Sequence, residues 1–461
     1  MNFEKIIIKS PVDYKIIAEI EASTAQEIDQ KVSLATNSFH AWSKISIEER
    51  IQKLQNLLDL FKTNKEKIAR MIATEMGMPI SVCMKIDIEV GLNYFQGYLD
   101  HAYDWLKPEI VFENDKEQHT LFFEGMGVVA ISIPWNFPFT NFIWAAIQNL
   151  VAGNTVVIKH SENCTLTAKL LEEIVQSSET PKGVCNFVYG NGHDVGNYLI
   201  NSNVQMIWFV GSVATGHHIY QVAASKGIPV ILELGGSAPA IIFEDVDIDE
   251  VVESVYFYRF ANSGQSCDAI KRVIIHETLF EEFIKKLSNL LAQKKVGDPL
   301  DLTTEIGPLI NKKQLEIIQD QVADAIAKRA KIICGGTQPA GLGSAYYQPT
   351  ILINISQDMK VWKEETFGPL LPVVAFKTEE EAINLANNTS FGLGGYVYSK
   401  NKNRAINVAK NLKTGNVSIN GANYVIPEDT FGGYKKSGIG RTHGKIGMQS
   451  LCQTKVIATN K

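Results

Sequence analysis

The chain has 461 residues, of which 45% are hydrophobic and 20% are charged, and its formal net charge is −6. This length exceeds what one hydrophobic core usually organises, so we expect two domains or more. The acidic balance argues against the basic face that a nucleic-acid-binding protein needs. The sequence has no run of 18 apolar residues and no recognisable signal peptide, so we expect a chain with no membrane partner.

The six cysteines are widely spaced and form no CxxC pair. This spacing argues against a zinc site or a disulfide framework and favours a reducing compartment. We therefore expect a cytoplasmic protein without a bound metal. The cysteines are Cys83, Cys164, Cys185, Cys267, Cys334 and Cys452.

Residues 24–103 are predicted to be helical. Thr24 and Ser46 are candidate N-caps, because Glu27 and Glu49 follow them by three residues, as in a capping box. These helices carry no recognisable chemistry of their own.

Beyond residue 120, short apolar runs bounded by Gly, Pro or Asn alternate with helical stretches. This alternation predicts parallel sheets covered by helices on both faces. The strand-like runs are Val128–Ile133, Thr155–Ile158, Val184–Val188, Met206–Val210 and Val230–Leu234, then Ala240–Phe243, Arg272–His276, Lys331–Cys334 and Leu371–Phe376. We predict an α/β fold with two doubly wound lobes that divide near Gly235-Gly236.

Two further segments are predicted to form exposed strands. Ile110–Phe123 alternates apolar and polar residues around a charged turn, and Val456–Ala458 is a short apolar run near the end of the chain. Exposed strands with apolar sides need cover, either from the chain itself or from a second subunit. The strands alone leave both interpretations open. Together with the family resemblance described below, they lead us to predict a homodimer or a dimer-of-dimers tetramer, with residues 107–125 and 437–461 as oligomerisation segments.

The stretch Phe260–Asp268 (FANSGQSCD) places Cys267 behind a Gly-Gln turn among small polar residues. A cysteine in a polar turn can be kept partly as thiolate and can act as a nucleophile. A cysteine used as a small core residue is inert, and this is the commoner use of a lone cysteine. The stretch alone therefore leaves both interpretations open.

Glu233 stands at the end of an apolar strand, before two glycines. Burial disfavours the charged carboxylate and raises its pKa, so Glu233 is a candidate general base.

Asn136 follows another strand, in the aromatic loop Ile133–Phe139 (IPWNFPF). The prolines on either side restrict the backbone and hold the amide in place. A fixed amide N–H can donate to a developing oxyanion. The alternative interpretation is a packed aromatic corner.

Two strand ends of the first lobe suit a dinucleotide. Phe209–Gly216 (FVGSVATG) puts a glycine turn before a helix, whose N–H groups and dipole favour a phosphate, although GxGxxG is lacking. Lys159 and Glu162 lie beyond a strand end, where open α/β sheets bind ligands, and a carboxylate there can accept both hydroxyls of an adenosine ribose. An ordinary turn and a surface ion pair are the alternatives.

Taken together and in this order, these motifs resemble the aldehyde dehydrogenase superfamily along almost the full chain. The compact length and the segment LELGGSAP are most similar to its short, succinate-semialdehyde-dehydrogenase-related branch. The resemblance implies an NAD(P)-dependent aldehyde dehydrogenase. It also implies a Rossmann-like NAD-binding domain over residues 1–106 and 126–235 and an α/β catalytic domain over residues 236–436.

The resemblance further implies a role for each matching residue. Cys267 matches the nucleophile and Glu233 the base that activates the hydrolytic water, while Asn136 and the Cys267 backbone N–H match the oxyanion hole. The implied cofactor-binding residues are Trp135, Lys159, Ser161, Glu162, Gly211, Ser212, Gly216, Leu234, Glu365 and Phe367. We expect the small-molecule aldehyde to contact Phe137, Trp144, Ser266, Asp268, Val425 and Phe431.

The implied reaction begins when the Cys267 thiolate adds to the aldehyde carbon. Hydride then passes to the nicotinamide and leaves a thioester, and Glu233 deprotonates the water that releases the carboxylic acid.

The sequence departs from the pattern of members that act on dicarboxylate semialdehydes. Those members grip the distal carboxylate with arginines, at positions that hold Trp144 and Ala261 in this chain. Asp268 would also repel an anionic tail. We predict a neutral aliphatic or aromatic aldehyde of medium size, with succinic semialdehyde as the alternative.

The cofactor preference depends on Glu162, because a carboxylate clashes with the 2′-phosphate of NADP. We therefore expect NAD, while Ser161 leaves some use of NADP possible.

Thr442 and His443 follow Arg441, where many members carry a glutamate. If that glutamate relays protons to the base, this chain must use water or His443 instead, although a plain surface position is the simpler expectation for His443. No cation flanks Cys267 in its own loop. We therefore expect backbone N–H groups, the nicotinamide or Glu233 to activate the thiol.

Two rival functions remain. A CoA-acylating semialdehyde dehydrogenase passes the acyl group to CoA, but such members lack the general-base glutamate that is present here as Glu233. A non-enzymatic binding role is the second, because a fold can outlive its activity. The presence of Cys267, Asn136 and Glu233 argues against it.

Overall fold

The computed structural model describes residues 3–343 and 345–461. In chain order the strands are β1 (Ile6–Lys9), β2 (Ile16–Ile20), β3 (Glu109–Glu113), β4 (Glu117–Gly125), β5 (Val128–Ile133), β6 (Thr155–His160), β7 (Cys185–Val188), β8 (Met206–Val210), β9 (Val230–Glu233), β10 (Ala238–Ile242), β11 (Ile270–His276), β12 (Lys331–Cys334), β13 (Thr350–Ile353), β14 (Leu370–Phe376), β15 (Tyr396–Tyr398), β16 (Ser418–Ile419), β17 (Gly438–Ile439) and β18 (Cys452–Asn460).

The α-helices are α1 (Ala25–Trp42), α2 (Ile47–Met76), α3 (Ile80–Cys83), α4 (Glu89–Leu106), α5 (Pro138–Phe142), α6 (Gln148–Val151), α7 (Thr165–Gln176), α8 (Asn197–Asn201), α9 (Val213–Lys226), α10 (Ile248–Phe260), α11 (Phe280–Ala292), α12 (Lys312–Ala327), α13 (Lys360–Lys363), α14 (Glu379–Asn387), α15 (Lys402–Asn411) and α16 (Gly444–Gln449). Short π-helical turns at Met84–Ile88 and Ile143–Ile147 join neighbouring helices of the first lobe.

The two predicted capping boxes are confirmed at the starts of α1 and α2. Thr24 Oγ1 accepts the Glu27 N–H at 3.2 Å, and the Glu27 carboxylate accepts the Thr24 N–H at 2.7 Å. Ser46 and Glu49 form the same pair of bonds. Each box satisfies backbone donors that the first helical turn would otherwise leave unpaired, so both helices begin where the sequence predicts.

The first lobe is built on a six-stranded sheet in the order β17-β9-β8-β5-β6-β7. Its pairs are parallel except that of β17 with β9. The parallel strands are nearly continuous apolar runs because both faces of the sheet are buried. The predicted strands of this lobe are therefore confirmed, and β17 was not predicted.

The second lobe holds a seven-stranded sheet in the order β12-β13-β14-β11-β10-β15-β16. Lys331–Cys334 is confirmed as a strand, but it pairs antiparallel with β13 at the edge of the sheet, so the prediction of a wholly parallel sheet is wrong there. The other pairs are parallel. Together the two sheets give the predicted fold of two doubly wound lobes.

The predicted exposed hairpin is confirmed as β3 and β4. The tail strand β18 pairs antiparallel with β4 over nine residues, from Cys452 opposite Gly125 to Asn460 opposite Glu117. The chain thus covers one edge of its own hairpin. Apolar side chains still reach the surface of this three-stranded sheet, namely Ile110, Val111, Phe112, Val456 and Ile457.

Candidate active site

A cavity of about 720 Å³ lies where the two lobes meet. The chain crosses from the first lobe to the second in the four residues between Glu233, which ends β9, and Ala238, which begins β10. This short crossing places the carboxyl ends of the first set of parallel strands next to the amino ends of the second set. The cavity occupies that junction.

The cavity brings together most of the residues that the sequence predicts for the site. They are Trp135, Asn136, Phe137, Trp144, Gly211, Ser212, Glu233, Leu234, Ser266, Cys267, Asp268, Glu365, Phe367, Val425 and Phe431. Four predicted cofactor-binding residues do not line it, and they lie at the end of β6 or in α9: Lys159, Ser161, Glu162 and Gly216.

A strained turn precedes the candidate nucleophile. Asn262, Ser263 and Gly264 have φ values of 51°, 54° and 73°, all in the left-handed region. Asn tolerates this conformation and Gly adopts it freely, whereas Ser does so at a cost. Gly264 is also required by space, because a Cβ there would collide with the carbonyl oxygen of Gly368.

Hydrogen bonds to several elements hold this turn in place. Asn262 Nδ2 donates to the Asn136 carbonyl at 2.8 Å, and Ser263 Oγ donates to the Gly307 carbonyl at 2.8 Å. Gln265 Oε1 accepts the Ile310 N–H at 2.9 Å. The loop that carries Cys267 is therefore anchored to Asn136 of the first lobe and to the segment 307–310.

The electrostatic surroundings of Cys267 are mostly acidic. Burial raises the pKa of its thiol, and the carboxylates of Asp268, Glu365 and Glu233 raise it further, while Lys271 acts in the opposite direction. The expectation that only backbone N–H groups, a nicotinamide or Glu233 could activate the thiol was therefore incomplete. A cation stands four residues away, in β11 rather than in the loop.

The Asn136 amide has a fixed orientation. Its Oδ1 accepts from Asn141 Nδ2 at 3.4 Å, and its Nδ2 donates to the Gln265 carbonyl at 3.2 Å. Since an amide nitrogen carries two hydrogens, one N–H is left for a further acceptor in the cavity next to Cys267. This arrangement suits an oxyanion hole.

Glu233 is 5% exposed, and its carboxylate oxygens have no geometrically acceptable hydrogen-bond partner among the described residues. Burial raises the pKa of Glu233 well above its usual range, and Arg441 and the nearby Thr442 hydroxyl offset this only partly. Both features suit a general base, because the unpartnered carboxylate oxygens can accept a hydrogen bond from water and the raised pKa makes the carboxylate a stronger base.

The strand ends predicted to hold a dinucleotide carry a suitable set of groups. Lys159 Nζ lies 3.2 Å from Glu162 Oε2, with the lysine side chain 4% exposed and the glutamate 43% exposed. The pair is therefore half-buried at a strand end and is not an ordinary surface ion pair. Ser161 Oγ accepts the Asn163 N–H and begins the next helical turn.

The turn after β8 leads into the N-terminus of α9. Ser212 Oγ caps this helix by accepting the Thr215 N–H at 3.3 Å. A Cβ on Gly216 would lie 2.6 Å from a methyl carbon of Leu234, so only glycine lets the first turn of the helix pack this closely. The positive end of the helix dipole next to the cavity suits a pyrophosphate.

The second lobe adds a loop that faces these strand ends. Phe367 packs edge-on against Trp135 with ring centroids 5.5 Å apart. Glu365 Oε1 accepts the Gly236 N–H at 2.9 Å, within the crossing between the lobes. The loop thereby closes one side of the cavity.

The substrate side of the cavity combines aromatic rings with one carboxylate. Trp144 and Phe431 lie 5.7 Å apart, centroid to centroid. Asp268 accepts from Ser266 Oγ at 2.7 Å and from the Tyr424 hydroxyl at 3.3 Å. No lysine, arginine or histidine forms an ion pair with Asp268 in the described part of the chain.

His443 is fully buried, so the expectation of a surface histidine is wrong. Its Nδ1 lies 2.5 Å from the Tyr98 hydroxyl, and its ring packs against Trp144 at 4.6 Å. Burial lowers the pKa of His443 to about 3, which keeps the ring neutral. It makes no hydrogen bond to Glu233 in the described structure, so its place is behind the aromatic wall, where it supports Trp144.

Sequence reasoning missed the buried Lys271 in β11. Its Nζ donates to the Thr366 carbonyl at 2.9 Å and lies 3.9 Å from Glu365 Oε1. The available signal was a lysine within the apolar strand IKRVIIH. Such a strand is expected to be buried, and a lysine is almost never fully buried without a partner, so the pattern predicts a paired lysine. Among the residues described, no cluster of three His, Cys, Asp or Glu could hold a metal, and no helix is long and apolar enough to span a bilayer.

Comparisons with known proteins show what the chain is similar to over its whole length. The sequence matches the Aldehyde dehydrogenase family over residues 2–457. Aminoaldehyde dehydrogenase 1, peroxisomal, of Pisum sativum is 35% identical, over 97% of this chain and 91% of its own length. Succinate-semialdehyde dehydrogenase, mitochondrial, of Oryza sativa subsp. japonica is 33% identical, over 98% and 86%.

Solved structures show the same relationship. The NAD+ complex of an aldehyde dehydrogenase from Bacillus cereus is 30% identical and superposes with a TM-score of 0.95, covering 99% of this chain and 93% of that one. The family match over residues 2–457 and the likeness of both sequence and structure over nearly the whole length agree with one assignment. The chain belongs to the aldehyde dehydrogenase family.

Proposed function

We propose that the protein oxidises an aldehyde to the carboxylic acid with NAD as the electron acceptor, through a thioester on Cys267. The observation that carries this proposal is the convergence of Cys267, Asn136 and Glu233 on one cavity between the lobes. A nucleophile, an oxyanion donor and a buried carboxyl in one cavity are the groups that acyl chemistry on a thiol needs.

The residues around the strand ends fit a dinucleotide. Lys159 and Glu162 offer an ammonium and a carboxylate for an adenosine ribose, and the α9 N-terminus after Gly211 and Ser212 offers positive potential for a pyrophosphate. Glu365 and Phe367 would contact the nicotinamide ribose, with Trp135 and Leu234 beside them. Bound NAD would supply the hydride acceptor.

The protein side of the reaction starts at Cys267. Its thiolate sulfur forms a bond to the aldehyde carbon, and the carbonyl oxygen takes up the electron pair of the broken π bond. The free N–H of Asn136 Nδ2 and the Cys267 backbone N–H are the donors proposed for that oxygen. When the oxygen reforms its double bond, hydride leaves the carbon and a thioester remains on the sulfur.

Glu233 then serves hydrolysis. As a carboxylate it removes a proton from a water molecule, the water oxygen attacks the thioester carbon, and the carbon–sulfur bond breaks to release acid and thiolate. The raised pKa of Glu233 makes it a stronger base than an exposed carboxylate. The position of Glu233 argues against the CoA-acylating alternative, in which no such base is needed.

The substrate is proposed to be a neutral aliphatic or aromatic aldehyde of medium size. Phe137, Trp144, Val425 and Phe431 give the cavity an apolar wall, and Asp268 disfavours an anionic tail. For this reason succinic semialdehyde is only the alternative substrate, although the rice relative carries the name succinate-semialdehyde dehydrogenase.

A cationic tail is a second candidate, on one observation. Among the described residues the Asp268 carboxylate accepts only from the neutral hydroxyls of Ser266 and Tyr424, while the rings of Tyr258 and Tyr396 also line the cavity. A carboxylate among aromatic rings can bind an ammonium group. The pea relative carries the name aminoaldehyde dehydrogenase, which agrees with this possibility.

The test compares kcat/KM for hexanal, succinic semialdehyde and 3-aminopropanal, with NAD and with NADP. We expect hexanal or 3-aminopropanal to exceed succinic semialdehyde by about ten-fold or more, the cost of an uncompensated like-charge contact. A preference for succinic semialdehyde would refute the substrate proposal. Failure of every aldehyde to produce NADH would refute the reaction itself.

The remaining proposals concern assembly and location. We propose a homodimer or tetramer, supported by the exposed apolar side chains of β3 and β18. The domain limits at residues 106, 125, 235 and 436 and a cytoplasmic location are proposed with it. Gly438–Ile439, however, extends the first sheet, so only the part after it is available to the oligomerisation segment.

A further inference from the structure

Lys271 lies behind the wall of the candidate active site, where no ligand would touch it. It is 1% exposed and belongs to β11, four residues after Cys267. It does not line the cavity. A buried ammonium is costly unless it is paired, so its partners show what it stabilises.

All of these partners belong to one loop. Lys271 Nζ donates to the Thr366 carbonyl at 2.9 Å, lies 3.9 Å from Glu365 Oε1, and stands 4.6 Å from the centroid of the Phe367 ring. Three consecutive residues therefore contact one ammonium through a carbonyl, a carboxylate and an aromatic face. Two of the three are the residues proposed to contact the nicotinamide ribose.

A second buried cation supports the same loop. Arg259, at the end of α10, is 0% exposed and donates through Nη2 to the carbonyls of Thr366 and Gly368. Its Nε and Nη1 have no partner in the described residues. Arg259 and Lys271 thus approach the loop together from the second lobe.

The loop also connects this pair of cations to the nucleophile. Glu365 Oε1 accepts the Gly236 N–H, and Gly236 packs so closely on the Cys267 carbonyl that a Cβ could not fit between them. Lys271 is the one cation that lowers the pKa of the Cys267 thiol within the described structure, against burial, Asp268, Glu365 and Glu233, which raise it.

We propose that Lys271 is a positioning residue that holds Glu365 and Phe367 in place for the nicotinamide ribose and places a buried positive charge four residues from the Cys267 thiol, whose reactivity it raises. This inference rests on the proposed function and deepens it. Lys271 forms no bond with the aldehyde, and it acts through the loop and through its charge.

The charged groups that face Lys271 determine how its effect depends on pH. They are Glu365 and Asp268, Arg259, and Cys267 when it is ionised. Burial lowers the pKa of Lys271 to about 7, although Glu365 raises it. The ammonium therefore predominates below pH 7 and is lost as pH rises through that value.

The experiment uses full-length Lys271→Met, which removes the charge but keeps a long side chain, and Lys271→Arg, which keeps the charge. Lys226→Met is the matched control, because Lys226 also donates to backbone carbonyls, but those of Ile200 and Ser202, which lie outside the cavity and outside the Glu365–Phe367 loop. Two readouts need no aldehyde. They are the Kd for NAD by calorimetry and the rate at which iodoacetamide alkylates Cys267, followed by mass spectrometry of its peptide.

For Lys271→Met at pH 6.5 we expect the Kd for NAD to rise about ten-fold and the alkylation rate to fall about ten-fold, the effect of one lost charge contact. Lys271→Arg should restore both values. The difference in alkylation rate between wild type and Lys271→Met should shrink above pH 7. Lys271→Arg should still be alkylated faster than Lys271→Met there, because arginine keeps its charge. Lys226→Met should leave both values unchanged.

Unchanged values in Lys271→Met would overturn the proposal, as would equal losses in Lys271→Met and Lys271→Arg. An unchanged alkylation rate with a weaker Kd would overturn the thiolate half alone. If Lys271→Met does not fold, as judged by its melting temperature, the comparison of Lys271→Arg with wild type above pH 7 decides. Failure of the proposed function is separate, because the wild-type protein would then oxidise no aldehyde while the alkylation comparison still gave an answer.

Discussion

The two lobes supply the candidate active site from opposite ends of their strands. In the first lobe Asn136 follows β5 and Glu233 ends β9, so the groups lie at carboxyl ends. In the second lobe Cys267 precedes β11 and Glu365 precedes β14, so the groups lie at amino ends. The rule that open α/β sheets bind ligands beyond their carboxyl ends therefore describes the first lobe only.

This difference follows from the crossing between the lobes. Only four residues separate the end of β9 from the start of β10, so the chain continues in the second sheet almost where it leaves the first. The proposed nucleophile Cys267 and the candidate nicotinamide-ribose residues come from the amino ends. Asn136, Glu233 and the candidate adenosine and pyrophosphate groups come from the carboxyl ends. Substitutions on the two sides should therefore have different consequences.

The largest effect is expected on the amino-end side, at Cys267. Cys267→Ala should lower kcat by on the order of 10⁴-fold or more, because no covalent intermediate can form. The Kd for NAD, measured by calorimetry, should stay the same. Cys334→Ala, in β12 of the same lobe, is the control and should keep full activity. Activity of Cys267→Ala within ten-fold of wild type would remove Cys267 as the nucleophile.

Glu233→Gln tests the carboxyl-end side. We expect a loss of about 10²–10⁴ in steady-state kcat, because a water molecule is no longer deprotonated. The first turnover should survive as a burst of one NADH per active site. A steady state without a burst would place the role of Glu233 before thioester formation.

The pH profiles of kcat for wild type and for Glu233→Gln sharpen this test. Since burial raises the pKa of Glu233, its carboxylate is scarce at low pH and accumulates as pH rises through that raised value. Wild-type kcat should therefore rise with pH above the usual carboxyl range, and Glu233→Gln should lack this limb. If wild type and Glu233→Gln show the same rise of kcat with pH, a group other than Glu233 causes that rise.

Asn136→Ala should have the next largest effect. The loss of one oxyanion donor costs about 10²–10³ in kcat, so the variant should be slow and not inactive. Asn136→Asp should be slower still, because a carboxylate repels the oxyanion. Steady-state kinetics with saturating NAD measure both, and an effect confined to KM would contradict the assigned role.

The smallest effect is expected farthest from the reacting atoms, at Glu162. Glu162→Gln removes the carboxylate that would face a 2′-phosphate, so the ratio of kcat/KM for NADP to that for NAD should rise about ten-fold. Maximal kcat with NAD should hardly change. An unaltered ratio would show that Glu162 does not set the cofactor preference.

Local signals in the sequence predicted much of the fold. The bounds of β5 and β8 and both capping boxes were predicted to the residue, because apolar runs and caps are decided by neighbours along the chain. The short strands β15 and β16 were missed, because two or three residues pair only when the rest of the sheet is present.

The site was predictable to the extent that it follows strand ends and motifs. The cavity gathers Cys267, Asn136 and Glu233, whereas their catalytic roles remain predictions. Lys271 and His443 were missed or misplaced for one physical reason. Charged and polar side chains are usually exposed, and only their contacts with Glu365 and with Tyr98 explain their burial.

The edge strand β17 has a consequence for the order in which the protein matures. It joins the first lobe beside Leu232 and Glu233, yet its two residues are the 438th and 439th of the chain. A ribosome must therefore add the more than 200 residues between β9 and β17 before the sheet that carries Glu233 can be completed. Until then β9 has an open edge, and the growing chain carries Glu233 on an incomplete sheet.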